Sequence, residues 1–221
     1  MTEPENIRVL IGCERSGVVR NAFLERGFDA WSCDLESADD RSNRHFQCDI
    51  REVLDDDWDF LAVMHPPCTR LCNSGVRWLS KPPKGKTLEQ MWAELNEGAA
   101  LFSDCWNAHI PHKAVENPVM HKHAKALIKN FEPAAQHVQP WWFGDPAFKS
   151  TGLYLRGLPE LVATNRLTPP NKDTDDYKAW SAIHRAPPGA ERSRIRSQTF
   201  PGIASAMADQ WGNHLTMRAA A

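Results

Sequence analysis

A cysteine stands directly behind two prolines in the stretch VMHPPCTRL (63–71). The apolar run before it reads as a buried strand, and Pro66-Pro67 cannot continue a sheet ladder. Cys68 therefore sits at a stiff strand exit. A thiolate is a strong nucleophile, so a thiol held this way is a candidate for covalent chemistry, although a structural cysteine is ordinarily buried and inert. A second exit carries Glu116-Asn117-Pro118, a carboxylic acid fixed beside a proline and suited to act as a positioned acid. The plainer reading is a surface glutamate. Three further exits end in Gly12, Asp34 and Asp49. In GCERSG (12–17), Gly12 and Gly17 bracket a turn where a ligand can approach the backbone, or they serve an ordinary strand-to-helix turn. Asp34 suits a ribose hydroxyl pair or a helix cap. Together the three fit one nucleoside-binding face better than any one of them does.

The elements that must position these residues can be read from the apolar pattern. Residues 7–12, 29–34 and 59–65 read as strands, and 48–50 closes another short apolar run. Residues 18–27 put Val18, Val19, Ala22 and Phe23 on one helical face and stop at Gly27. Residues 87–108 form the strongest helix signal, with Thr87 as its N-cap, and residues 112–118 run as a strand into Glu-Asn-Pro. A short basic helix over 121–131 and a strand within 150–161 follow, then a weakly periodic stretch over 159–188 and a closing helix over 202–215. Strands alternating with helices predict an α/β fold with a doubly wound, mostly parallel sheet, whose ligands gather beyond the strands' carboxyl ends. The division expected is a catalytic core over 1–157, a short irregular insert over 158–197 and a C-terminal helix over 198–221 that returns to the core.

Composition bounds the function classes. The 221 residues suit one domain, 42 % of them apolar and 24 % charged, with a net charge of −2. No global basic field points to nucleic acid, though a local basic face is compatible with that sum. No apolar run reaches the roughly 18 residues of a membrane span, and the N-terminus lacks a signal-peptide pattern, so the chain reads as cytosolic. The six cysteines then read as reduced thiols rather than a disulfide frame. His65, Cys68 and Cys72 lie close, and His109, His112, His121 and His123 follow, but only Cys68-x3-Cys72 approaches one of the two clean pairs of a structural zinc site. No metal is expected.

PPCTRLCNSG followed by ENP resembles the Pro-Pro-Cys and Glu-Asn motifs of the DNA cytosine-C5 methyltransferases. The order is also theirs: a glycine-bearing first turn, an acid after strand two, an Asp after strand three, then PPC, then EN. The likeness runs over residues 7–120, and SQTFPGIASAMADQWG (197–212) resembles the family's last motif. It suggests a small phage- or prophage-type member, acting in the host cytoplasm if phage-encoded, with the Rossmann-like methyltransferase fold. The implied reaction moves a methyl group from S-adenosyl-L-methionine to C5 of a cytosine in DNA, single-stranded or flipped from the duplex. Cys68, supported by Pro67, would attack C6; Glu116 would contact N3 and the exocyclic amine; Asn117 would hold the Cys68 loop. Asp34 with Leu35 would take the cofactor ribose, and Asp49 with Ile50 its adenine. Gly12, Ser16, Gly17 and Pro66 would line the methionine end, closed by Thr199 and Pro201.

The sequence departs from the family in three places. Ile11 or Leu10 stands where the family has a Phe that stacks on adenine, which leaves Trp31 as another stacking candidate, and GCERSG replaces Gly-x-Gly. The arginine-bearing strand motif is missing; Lys149 is the nearest basic residue, and Arg192, Arg194 and Arg196 supply a basic stretch for phosphates. About forty residues replace a large recognition domain. Two alternatives remain: modification of a free pyrimidine nucleotide, or transfer of another group, and a degenerate fold that binds nucleic acid or a protein without catalysis.

Overall fold

Successive side chains of strand β1 (Arg8–Gly12) enter two different cores. Val9 and Ile11 belong to one buried cluster and Leu10 to the other. Strand β4 (Phe60–Val63) repeats this, with Phe60 and Ala62 on one face and Leu61 and Val63 on the other. A strand apolar on both faces needs cover on both sides, which is why these runs are continuous rather than alternating. A computed structural model describes residues 3–63, 66, 69–185, 196–197 and 199–218.

The remaining strands are β2 (Asp29–Asp34), β3 (His45–Gln47), β5 (His112–Asn117), β6 (Gln136–Val138) and β7 (Thr151–Arg156). They form one seven-stranded sheet in the order β3-β2-β1-β4-β5-β7-β6. β1 pairs parallel with β2 and β4, as do β2 with β3 and β4 with β5, whereas β7 runs antiparallel between β5 and β6. The expected α/β class, with its doubly wound and mostly parallel sheet, is what the chain adopts. β6 is absent from the sequence reading because three residues without an apolar run carry no strand signal.

Helix α1 (Val18–Glu25) and the last helix, α6 (Pro201–Arg218), cover the first face. Phe23, Phe60 and Trp211 interlock there, with ring centres 5.4 and 5.8 Å apart. Fully burying each such ring contributes about 1.5–3 kcal/mol. Helix α2 (Leu88–Asn107) covers the other face with Met91, Leu95, Ala99, Phe102 and Trp106, spaced at three and four residues. Its start is fixed as expected: Gln90 N donates to Thr87 Oγ1 at 3.1 Å and Thr87 N to Gln90 Oε1 at 2.9 Å, a reciprocal capping box. Helix α3 (Lys122–Leu127) follows β5.

The stretch after β7 carries α4 (Asp175–Trp180) and α5 (Ala182–Arg185) and is otherwise irregular. It is tied to the core: Leu161 is buried, Asn165 N and Leu167 N donate to Trp142 O and Trp141 O, and Phe148 packs on Tyr177 and Trp180. Among the described residues no helix is long and apolar enough to cross a membrane, and no group of three or more His, Cys, Asp or Glu is placed to hold a metal ion.

Candidate active site

Parallel pairing brings the strand exits to one level. Gly12 lies opposite Cys33 on one side and Val63 on the other, Asp34 lies opposite Gln47, and Val63 lies opposite Val115. Along the sheet the exits therefore run Asp34, Gly12, Val63, Glu116. The chain turns to opposite sides of β1 through β2 and β4, so the crevice between β1 and β4 is the topological switch point where open α/β sheets bind ligands. Pro66 is buried just beyond β4. Cys68 and Pro67, like Arg192 and Arg194, lie outside the described residues.

Glu116 and Asn117 close this edge on the β5 side. Glu116 is 3 % exposed, and the hydroxyl of Thr151 at the start of β7 donates to its Oε1. The antiparallel β7 makes this possible, because it begins where β5 ends. Asn117 is fully buried, and among the described residues neither its Oδ1 nor its Nδ2 has a hydrogen-bond partner. A buried amide without partners costs about 1–3 kcal/mol. Lys149 lies two residues before Thr151, its ammonium 6.0 Å from the centre of the Phe200 ring.

The two glycines of the first turn pack against the chain's own side chains. Gly17 has φ +72°, and a Cβ there would run into the Arg20 guanidinium. A Cβ on Gly12 would run into the Ile50 side chain. Gly17 meets a left-handed backbone requirement, and the ends of the Arg20 and Ile50 side chains lie beside the two glycines. Glu14, 3 % exposed, accepts from Val19 N at 2.7 Å and Arg20 N at 3.1 Å, so the chain's own carboxylate occupies the amino end of α1. Burial raises its pKa, against the lowering effect of those amides and of Arg20. Arg20 is fully buried, donates to Ser32 Oγ at 2.7 Å and pairs with Asp40. Ser16 Oγ accepts from Val18 N at 3.4 Å. Cys13, at φ +54°, holds a left-handed conformation unusual for a residue with a side chain. Glu14 and Arg20 escaped the sequence reading, where the sole signal was an acid just ahead of a helix start.

The acids at the next two exits are engaged locally. Asp34 Oδ1 accepts from Glu36 N at 3.0 Å, and burial raises its pKa against the opposing charges of His45 and Arg15. Leu35 beside it is 71 % exposed. Asp49 caps the turn Ile50–Glu52: its Oδ1 accepts from Arg51 N and its Oδ2 from Arg51 Nη1, at 3.0 and 3.1 Å. Ile11 and Ile50 are core residues, in the first and second clusters respectively. Trp31 stacks on Phe46 with centres 5.1 Å apart and lies under Arg44, three residues short of the end of β2.

Thr199 is buried and Pro201 is the first residue of α6. Gly202 N donates to Asp145 Oδ2 at 2.9 Å, which anchors the start of this helix to the loop after β6. Gly212 packs on Phe28 at the amino edge of the sheet, so Thr199 and Pro201 lie toward the carboxyl edge with the other exits. Arg196 is exposed.

No family model matches the chain, and no curated protein matches it. Among solved structures, one from E. coli, a candidate DNA modification methyltransferase encoded within a prophage, aligns with 68 % of this chain at 16 % identity and a TM-score of 0.42. The aligned part spans 46 % of that protein, so the present chain matches less than half of its length.

Proposed function

We propose that the chain is an S-adenosyl-L-methionine-dependent methyltransferase that acts on C5 of cytosine in DNA. The observation that supports this best is the pairing at one sheet edge of a buried, Thr151-held Glu116 and an unpartnered, buried Asn117, level with the strand that leads into Pro66-Pro67-Cys68. Chemistry that needs an acid at the edge of a base and a thiol above its ring calls for two such adjoining exits.

In this reading the Cys68 thiolate adds to C6 of the cytosine, and Glu116 holds N3 and the exocyclic amine, so that charge developing on the ring is met by a fixed acid. After C5 is methylated its proton leaves to solvent as the C6–sulfur bond breaks and frees the thiolate. Asn117 uses its free amide to hold the Cys68 segment. The bound cofactor supplies an electrophilic methyl group. Its fit rests on the donor set: Asp34 is a half-buried carboxylate at the end of β2, a natural partner for a ribose diol. Gly12, Gly17 and Ser16 would serve through their backbone, since the space beside both glycines is filled. Asp49 is committed to Arg51, so its contribution would be to shape the adenine end rather than to bond it. Thr199, Pro201 and Lys149 would close the crevice from the α6 side.

The test is incubation of purified protein with tritiated S-adenosyl-L-methionine and mixed duplex DNA, beside a Cys68→Ser control. Label in DNA that disappears in the control is expected; label that persists in it would overturn the role of Cys68.

A further inference from the structure

The edge formed by β4 and β5 opens onto a surface whose positive charge is not cancelled. Residues 60–88 contain five Lys or Arg and no carboxylate side chain, and residues 117–131 contain three and none. The fold ties the two segments together. Asn73 N donates to Val119 O at 3.1 Å, His121 N to Leu71 O at 3.0 Å, and His121 Nε2 lies 2.6 Å from Arg70 O. Both segments also rest on α2, where Glu94 pairs with Arg70 at 2.6 Å and with Lys86.

That leaves Arg77, Lys81, Lys84, Lys122, Lys125 and Lys129 exposed, with no carboxylate partner among the described residues. Many of the arginines elsewhere are paired. Arg15, Arg20, Arg26, Arg44, Arg51 and Arg156 each meet a carboxylate. In a chain of net charge −2, these cations are concentrated on two adjoining segments, whereas Arg41, Arg166, Lys172 and Arg185 stand exposed singly elsewhere. Arg77 also lies over the ring of its neighbour Trp78, 4.3 Å from its centre, which holds the guanidinium in a defined place.

We propose that this surface grips the phosphate backbone of the DNA on which the β4–β5 edge acts. The inference rests on the reading of that edge as a DNA-modifying site and adds how the substrate is held without a large recognition domain. One nucleotide phosphate is satisfied by one or two cations. Six bare cations spread over two hydrogen-bonded segments match a run of phosphates, each contact releasing a condensed counterion. The grip is sequence-independent, because phosphate contacts position a duplex and carry no base information.

The experiment is fluorescence anisotropy of the full chain with a labelled duplex of about 20 base pairs, titrated across salt concentration. The variants are Lys81→Gln/Lys84→Gln and Lys122→Gln/Lys125→Gln, with Arg26→Gln, paired to Asp209 beside the far edge of the sheet, as a charge control. Each double variant should bind at least about tenfold more weakly at low salt and lower the slope of log K against log salt by up to about 1.8, two contacts at about 0.9 each. The control should bind like the wild type. Wild-type slopes in both double variants, or no binding of DNA by the wild type, would overturn the proposal. Methyl transfer measured in parallel separates the two readings. Labelled DNA with unchanged slopes sinks this surface alone, whereas altered slopes with unlabelled DNA sustain the surface and sink the methyltransferase reading.

Discussion

The hydroxyl of Thr151, the first residue of β7, donates to the buried carboxylate of Glu116, the penultimate residue of β5. Thirty-five positions apart in sequence, the two meet because β7 runs antiparallel against β5. A carboxylate held this way has one oxygen fixed at the carboxyl end of β5.

Thr151→Val keeps the side chain's shape and removes that donor. Stability should fall by about 1–3 kcal/mol, and kcat for methyl transfer should fall with it while the cofactor KM stays unchanged. Thr151→Ser, which keeps the hydroxyl, should restore activity to within a few-fold. A Thr151→Val enzyme with wild-type kcat would show that Glu116 needs no such support.

Asn117 pairs an unsatisfied amide with complete burial. Replacing it with Leu removes a desolvation cost of about 1–3 kcal/mol, so the melting temperature should hold or rise by a few degrees. Methyl transfer should drop at least tenfold in the same protein. Loss of both stability and activity would mean that the amide already has a structural partner.

Glu14 gives a pH signature. Its folded-state pKa is raised, chiefly by burial. The proton is therefore bound more tightly by the folded than by the unfolded chain. This contribution to stability is complete below the unfolded carboxylate value and is lost as pH rises through the raised one. Thermal unfolding of wild type and Glu14→Gln should diverge on acidification from about pH 7 to about pH 4, the wild type gaining on the variant. A difference that is flat or shrinks over that range contradicts the assignment.

The thiols should differ in reactivity. Burial pushes Cys105 up to about 12 and raises Cys13 and Cys33 as well. Near pH 8 Cys105 is then thiolate in only about one molecule in ten thousand. Peptide mapping after brief iodoacetamide treatment should find Cys33 and Cys105 unmodified, and modification of Cys68 should track the loss of methyl transfer. Labelled Cys33 or Cys105 in a folded, active protein would contradict the burial argument.

The sequence by itself determined the strands β1, β2, β4 and β5 and the helix α2. Each is a local signal: a short run bounded by Gly, Asp or Pro, or an apolar stripe opened by a Thr cap. Because parallel strands place their ligands at the carboxyl exits, the same signals located Gly12, Asp34 and Glu116 on one edge. Only the tertiary structure decided what fills that edge. Ile50 fills the space beside Gly12 and Arg20 that beside Gly17; Glu14 turns inward onto α1, Asp49 is bound to Arg51, and Thr151 reaches Glu116. No local pattern announces such contacts, because several of these partners lie far apart in sequence and meet through strand register and helix packing. The bare cations follow the same logic: Glu94 could be matched to Arg70 and Lys86 only once α2 was laid beside the segment that follows β4.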